Sequence, residues 1–267
     1  MRYIVLIFSV FLTTPAWGLS LSTCAHMQEH ISVFDQVDSK HSTEGSISSH
    51  VESLPLPDHY LQGSADAYAD ANGLTRVFAN STTDMYDGVQ TSFRSTSAWS
   101  ETFVNDSADT HYSFNFTLSD IQYGASWVLG TPKVGYELDI SLNGNSIYDY
   151  SFLYDTSEQY QNLMDRMRSG NAGIPSNDDM MADVTMPDIS ILLDLGSFGD
   201  DDNFTLTYSI SSYALPSDGD YAYAGFSMIG DLSSSTTTPA SDPVPEPATI
   251  LLLVAGGVGS LFVNKKR

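Results

Sequence analysis

From Leu74 onward, apolar residues recur at every second position in short runs separated by Asp, Asn, Gly and Ser. A period of two puts successive side chains on opposite faces of an extended chain, so each run reads as a strand with one solvated face. The segments 74–79, 89–94 and 98–104 are of this kind. In 111–118, Tyr112, Phe114, Phe116 and Leu118 alternate against His111, Ser113, Asn115 and Thr117, which predicts a buried aromatic face. Further strands follow over 122–129, 188–195, 204–212 and 221–229.

The strongest local signal lies in 134–154. Tyr136, Leu138, Ile140 and Leu142 alternate up to Asn143-Gly144, and Tyr148, Tyr150, Phe152 and Tyr154 continue beyond it. Asn-Gly takes the positive φ that a tight two-residue turn requires, so the segment predicts a β-hairpin. Asp139, Ser141, Asn143 and Gly144 match the opening of a calcium loop, but its twelfth position is Tyr150 where a bidentate Glu is needed. The period changes only at 157–168, where Tyr160, Leu163, Met164 and Met167 are spaced for a short amphipathic helix. Before Leu74 the pattern weakens. Ile31, Val33, Phe34 and Val37 suit one short helix or strand, and the Ala-rich 60–72 suits a helical turn or an irregular approach. The fold expected is a single antiparallel β-sandwich, jelly-roll-like, spanning 73–232 after a partly irregular segment 19–72.

The two ends depart from this pattern. In 1–18, Arg2 precedes a ten-residue apolar region (3–12) and then Ala16-Trp17-Gly18, the layout of a secretory signal peptide cut by signal peptidase after Gly18. Ten residues are too few for a transmembrane helix. At the other end, the polar 233–243 reads as a flexible stalk. It leads to Val244-Pro245-Glu246-Pro247, sixteen uncharged residues (248–263), and Lys265, Lys266 and Arg267. Sixteen helical residues span about 24 Å, a short membrane anchor. The basic tail stays cytoplasmic by the positive-inside preference, which puts the rest of the chain across the membrane. The two prolines hold Glu246 in an extended segment that a protease cleft can take up.

Pro-Glu-Pro, a short apolar helix and a basic end together resemble the PEP-CTERM sorting signal. That resemblance, limited to 244–267, implies processing by an exosortase, with Pro245, Glu246 and Pro247 as recognition positions and Lys265, Lys266 and Arg267 as the inner anchor. It implies a precursor held in the inner membrane with its body periplasmic, and a mature form at the cell surface or in the extracellular matrix.

Charge narrows the partners. The chain has 33 acidic and 10 basic residues, a net charge of −23; setting aside Glu246, Arg2, Lys265, Lys266 and Arg267 leaves 32 against 6 in the body. Nucleic acid needs a basic surface and is excluded as a partner. Cys24 is the lone cysteine, so no intramolecular disulfide forms. No cofactor is implied beyond a weak calcium candidate at Asp200, Asp201 and Asp202, three adjacent carboxylates that read first as an exposed acidic turn. His26-Met27-Gln28-Glu29-His30 matches the zinc string of inverted zincins, which requires both histidines on one helical face; solvated histidines are the plainer reading. No Gly-x-Ser-x-Gly elbow or phosphate loop is present. Trp99, Trp127 and the tyrosines suit either a core or a sugar-stacking surface. The function expected is a structural or adhesive matrix protein without catalysis. The alternatives are a carbohydrate-binding module contacting extracellular polysaccharide, marked by a row of exposed aromatics, and a secreted hydrolase.

Overall fold

A computed structural model describes residues 18–29, 35–53, 62–82, 91–106, 110–126, 131–157, 181–216 and 220–235. The helix expected at 157–168, the signal peptide and the segment 236–267 lie outside these residues, apart from Ser157 and Gly18. The described residues form thirteen strands: β1 (Ser20–Glu29), β2 (Asp35–Ser42), β3 (Ser46–Glu52), β4 (Gln62–Asp70), β5 (Leu74–Thr82), β6 (Thr91–Val104), β7 (Thr110–Ser126), β8 (Lys133–Leu142), β9 (Asn145–Asp155), β10 (Met181–Thr185), β11 (Ile189–Phe198), β12 (Asn203–Leu215) and β13 (Tyr221–Ser235). Sheet A has the order β2-β1-β6-β12-β8-β9 and sheet B the order β10-β7-β13-β5-β4-β3, with β11 continuing along β7 beyond β10. Every pairing is antiparallel.

The segment 19–72 corrects the expectation of irregular structure, because it supplies β1 to β4. Its inward positions on β4 are Gly63, Ala65, Ala67 and Ala69, too small to register as a hydrophobic period but shaped to receive large rings. A Cβ on Gly63 would lie 2.4 Å from Cε2 of Phe93 on β6. Two pairs of expected strands also fuse, into β6 and β7. The polar residues that separate them in sequence do not break the chain, because their hydroxyls find partners: Ser95 pairs with Ser212 at 2.8 Å and Ser97 donates to the Tyr68 carbonyl at 2.6 Å. In β7 the break is absorbed by a bulge at Asp120 (φ 54°), where β13 slips register between Gly225 and Ser227. The β8–β9 hairpin turns on Asn143 (φ 53°) and Gly144 (φ 78°), both left-handed as the dipeptide predicts.

The sheets meet through aromatic rings. Tyr208 of β12 is fully buried, stacks on Trp99 of β6 at 5.0 Å and on Phe114 of β7 at 5.7 Å, and donates its hydroxyl to the Gly73 carbonyl in the β4–β5 turn of sheet B. One side chain thus bonds to both layers. At the side where β2 leads into β3, the Asp38 carboxylate accepts the His50 N–H at 3.0 Å and Lys40 donates to the Ser48 carbonyl, capping edge groups of β3. The His50 N–H, and then Lys40, hold the Asp38 carboxyl below its ordinary value.

Removing the Tyr208 hydroxyl strands a buried carbonyl, so Tyr208→Phe is expected to destabilise the fold by about 1–3 kcal/mol in urea denaturation. An unchanged midpoint would refute the bond between layers. A second outcome concerns alkali. Burial raises Tyr136 and Tyr208 far above the ordinary tyrosine value and takes Tyr154 up to about 12. A raised folded value means that the stabilisation is complete below the unfolded value near 10 and is lost as pH climbs through the folded values. Phenolate absorbance and loss of β-sheet circular dichroism should therefore rise together between about pH 10 and 12. Ionisation of these three rings in the intact fold at pH 10 would contradict it.

Candidate functional site

The outer faces of the two sheets differ in chemistry. On sheet A, a groove of about 370 Å³ is lined by Arg94, Glu137, Asp139, Asp149 and the hydroxyl residues Thr96, Ser151, Ser209 and Ser211. Cross-strand hydroxyl pairs pave this face, with Thr96 to Ser211 at 2.9 Å, Ser100 to Thr207 at 2.7 Å and Thr102 to Thr205 at 2.9 Å. Arg94 is committed to Glu137 at 2.6 Å, and Ser146 donates to Asp139 at 2.6 Å. The one cation of the groove among the described residues is thus taken up by Glu137, while Asp139 and Asp149 stand opposite each other across β8 and β9.

Sheet B presents aromatic rings instead. Tyr221, Tyr223, Phe78 and Tyr68 are half-buried on its outer face, because their strand neighbours Ala222, Ala224, Val77, Ala79, Ala67 and Ala69 point inward. Tyr223 stands opposite Gly124 of β7, and Phe78 stands opposite Gly225 of β13. A Cβ on Gly124 would lie 2.2 Å from Cε1 of Tyr223, and one on Gly225 would lie 2.6 Å from Cδ2 of Phe78. Each ring therefore occupies the space over its facing glycine. Tyr223 crosses β7 completely, since its hydroxyl donates to Asp183 of β10, the residue paired with Gly124 on the far side. Asp183 and burial raise the Tyr223 hydroxyl well above its ordinary value, burial contributing most. Ring centroids are 5.3 Å apart for Tyr221 and Tyr223 and 6.4 Å for Phe78 and Tyr223.

The other sequence candidates are dispersed. Asp200, Asp201 and Asp202 are exposed in the turn between β11 and β12, where Asp202 accepts the Gly199 N–H at 2.7 Å and Asp201 adopts φ 61°. Buried Asn105 pins this turn by donating to the carbonyls of Phe198 and Gly199 at 2.8 and 2.7 Å. The turn thus uses one carboxylate as a brace. Among the described residues no three His, Cys, Asp or Glu side chains converge as metal ligands. His26 lies on a strand, bonded to Asp35 at 2.6 Å, which removes the helical face a zincin string needs. His30 is outside the described residues. Trp99 belongs to the core, and Trp127 is also outside them.

One constellation had no sequence signal, because His111 lies 86 residues before Ser197 and a similar distance before Asp194. Buried His111 places Nδ1 3.2 Å from Ser197 Oγ and Nε2 2.9 Å from Asp194 Oδ1. Those residue types form nucleophilic triads. Here Asp194 sits off the line of the ring N–H, leaving Nε2 without an aligned partner, and its Oδ1 accepts the Gly196 N–H at 2.8 Å. Gly196 (φ 90°) lies where β11 shifts register on β7. The trio braces that bulge.

Comparison with known families finds a match at the C-terminal end, where residues 243–267 fit the model of the PEP-CTERM protein-sorting motif. The chain carries a PEP-CTERM sorting signal. That signal implies an exported protein, anchored in the membrane before processing, with exosortase as its processing partner. No curated protein matches the chain. Among solved structures, it is similar to TmCBM61 in complex with beta-1,4-galactotriose, at 12% identity over 66% of this chain and 89% of that one, with a TM-score of 0.17. It is also similar to a structure of infectious bursal disease virus Gx strain, at 11% identity over 90% of this chain and 73% of that one, with a TM-score of 0.10. Scores this low place no residue of the PEP-CTERM chain.

If the acidic turn is a brace, Asp202→Ala should cost about 1 kcal/mol in thermal or urea unfolding, while Asp200→Ala should be near neutral. Equal losses at both positions, or a calcium-induced rise in melting temperature abolished by either, would reverse that assignment.

Proposed function

We propose that this PEP-CTERM protein is a structural, adhesive component of the cell surface or extracellular matrix that performs no catalysis. The observation that carries the reading is the way the body joins its sorting signal. The chain passes from β13, which takes in the first three residues of the expected stalk, Ser233 to Ser235, into the rest of the Ser/Thr/Pro-rich segment and then into the motif at Val244, Pro245, Glu246 and Pro247. β13 is an interior strand of sheet B, paired through Tyr221–Ile229 with β5 and through Ala222–Ser235 with β7. Tension from the stalk along β13 loads these hydrogen bonds side by side, so they share the force rather than open one after another. At the other end, Gly18 is exposed just before β1, and cutting there by signal peptidase leaves β1 whole.

In this account the precursor sits in the inner membrane through 248–263, with Lys265, Lys266 and Arg267 inside and the sandwich in the periplasm, until exosortase acts. A carbohydrate-binding role is the second reading, favoured by the aromatic rings lying on sheet B. Replacing Glu246 with Ala is expected to leave uncleaved precursor in the membrane fraction, detected by immunoblot of fractionated cells. Processing and release at the normal level would sink the sorting role given to the tripeptide.

A further inference from the structure

We propose that the outer face of sheet B is a platform for an uncharged polysaccharide, whose sugar rings stack on Tyr223 and Phe78 with Tyr221 and Tyr68 extending the track. The proposal deepens the carbohydrate reading by naming its site and ligand class, and it relies on the body being displayed outside the cell. The geometry rests on glycine. Side chains on a strand ordinarily stand off the sheet, which turns a ring edge to solvent. Gly124 and Gly225 remove the atoms that would hold Tyr223 and Phe78 upright, and both rings lie across the neighbouring strand. The reach of the Tyr223 hydroxyl to Asp183, over β7 and onto β10, requires that orientation.

A ring lying on the backbone leaves its other face outward. That face is a flat apolar surface with negative π density, suited to the C–H groups on the face of a pyranose. The positions advance one strand and one register step at a time. Tyr223 is opposite Asn80, Phe78 is opposite Asp66, and Tyr68 is opposite Arg76, so the rings trace a diagonal over β13, β5 and β4. Such a line fits a chain of linked sugars better than a compact ligand. Charge selects the uncharged class. Asp66 and Asp183 border the rings, and Arg76 is the lone Lys or Arg on this face among the described residues, on a protein of net charge −23. Polyuronates and sulfated chains are repelled.

Sheet A supplies an internal control. Tyr213 lies over Gly135 in the same manner, with the hydroxyl oxygen 2.3 Å from the position of a Cβ there, but beside the Arg94–Glu137 pair instead of another ring. A purely structural role for rings over glycines treats the three residues alike; a platform does not.

The test is affinity electrophoresis of the full chain in mild detergent, through gels containing hydroxyethylcellulose, galactomannan, dextran or polygalacturonate. Retardation by at least one neutral polymer and none by polygalacturonate is expected. Leucine keeps apolar cover over the glycine while removing the flat face. Tyr223→Leu and Phe78→Leu should each weaken retardation by about tenfold or more with the melting temperature held within a few degrees, and Tyr213→Leu should not. Passage of the wild type unretarded through every neutral gel would overturn the platform, as would retardation by polygalacturonate alone or equal losses in all three variants. Concentration-dependent self-association abolished by Tyr223→Leu, without retardation, would reassign the strip to a second copy of the chain. Failure of the platform leaves the fate of the Glu246→Ala precursor unaffected, so the two readings fail separately.

Discussion

The fold depends on keeping two sheets in register face to face, and that constraint concentrates at Tyr208. Antiparallel sheets packed about 10 Å apart are free to slide unless something directional joins them. Stacking on Trp99 fixes Tyr208 to its own sheet, contact with Phe114 fixes it to the other, and the hydroxyl bond to Gly73 adds direction across the gap. With no disulfide available to a chain that has one cysteine, buried aromatic surface and this bond do the joining.

A single device, a ring over a glycine, recurs inside and outside. Within the core, Phe93 fills the space over Gly63, and Phe114 fills the space over Gly230, where a Cβ would lie 2.3 Å from Cζ. On the outer faces the same relation lays Tyr223, Phe78 and Tyr213 against the backbone. Glycine in a strand loses more conformational entropy on folding than any other residue, and the covering ring offsets that loss by burial. Inside, the result is packing density. Outside, the rings lie against the strands, and two of them, Tyr223 and Phe78, are on the sheet whose β13 leads toward the sorting signal.

Charge is distributed in keeping with this. The acids lie mainly on outer faces and turns, where they keep the body soluble, and several also serve as braces: Asp38 on the β3 edge, Asp202 in the acidic turn, Asp194 at the β11 bulge. Three hydroxyl pairs take outward positions between β6 and β12 of sheet A. Each brace satisfies a backbone group that its strand ladder leaves unpaired.

The alternation in 111–118, the Asn143-Gly144 turn and the sorting motif at the C-terminal end were legible because each is set by neighbours a few residues apart: a period of two, a positive φ, a Pro-Glu-Pro followed by a run of uncharged residues. Strand identity and the sorting signal therefore belong to the sequence. The roles of Ala65, Ala67 and Ala69 were not legible, because a small residue gives no hydrophobic signal until the ring it accommodates is known. Fusion of the expected strands into β6 depended on a hydroxyl partner more than a hundred residues away, Ser95 with Ser212, and fusion into β7 on a bulge at Asp120 set by its pairing with β13. The aromatic strip has the same origin. Tyr223, Phe78 and Tyr68 come to share one face only through the pairing of β13, β5 and β4, and Tyr223 and Phe78 lie over the backbone only because glycines on partner strands face them, a relation that sheet register creates and local pattern does not contain.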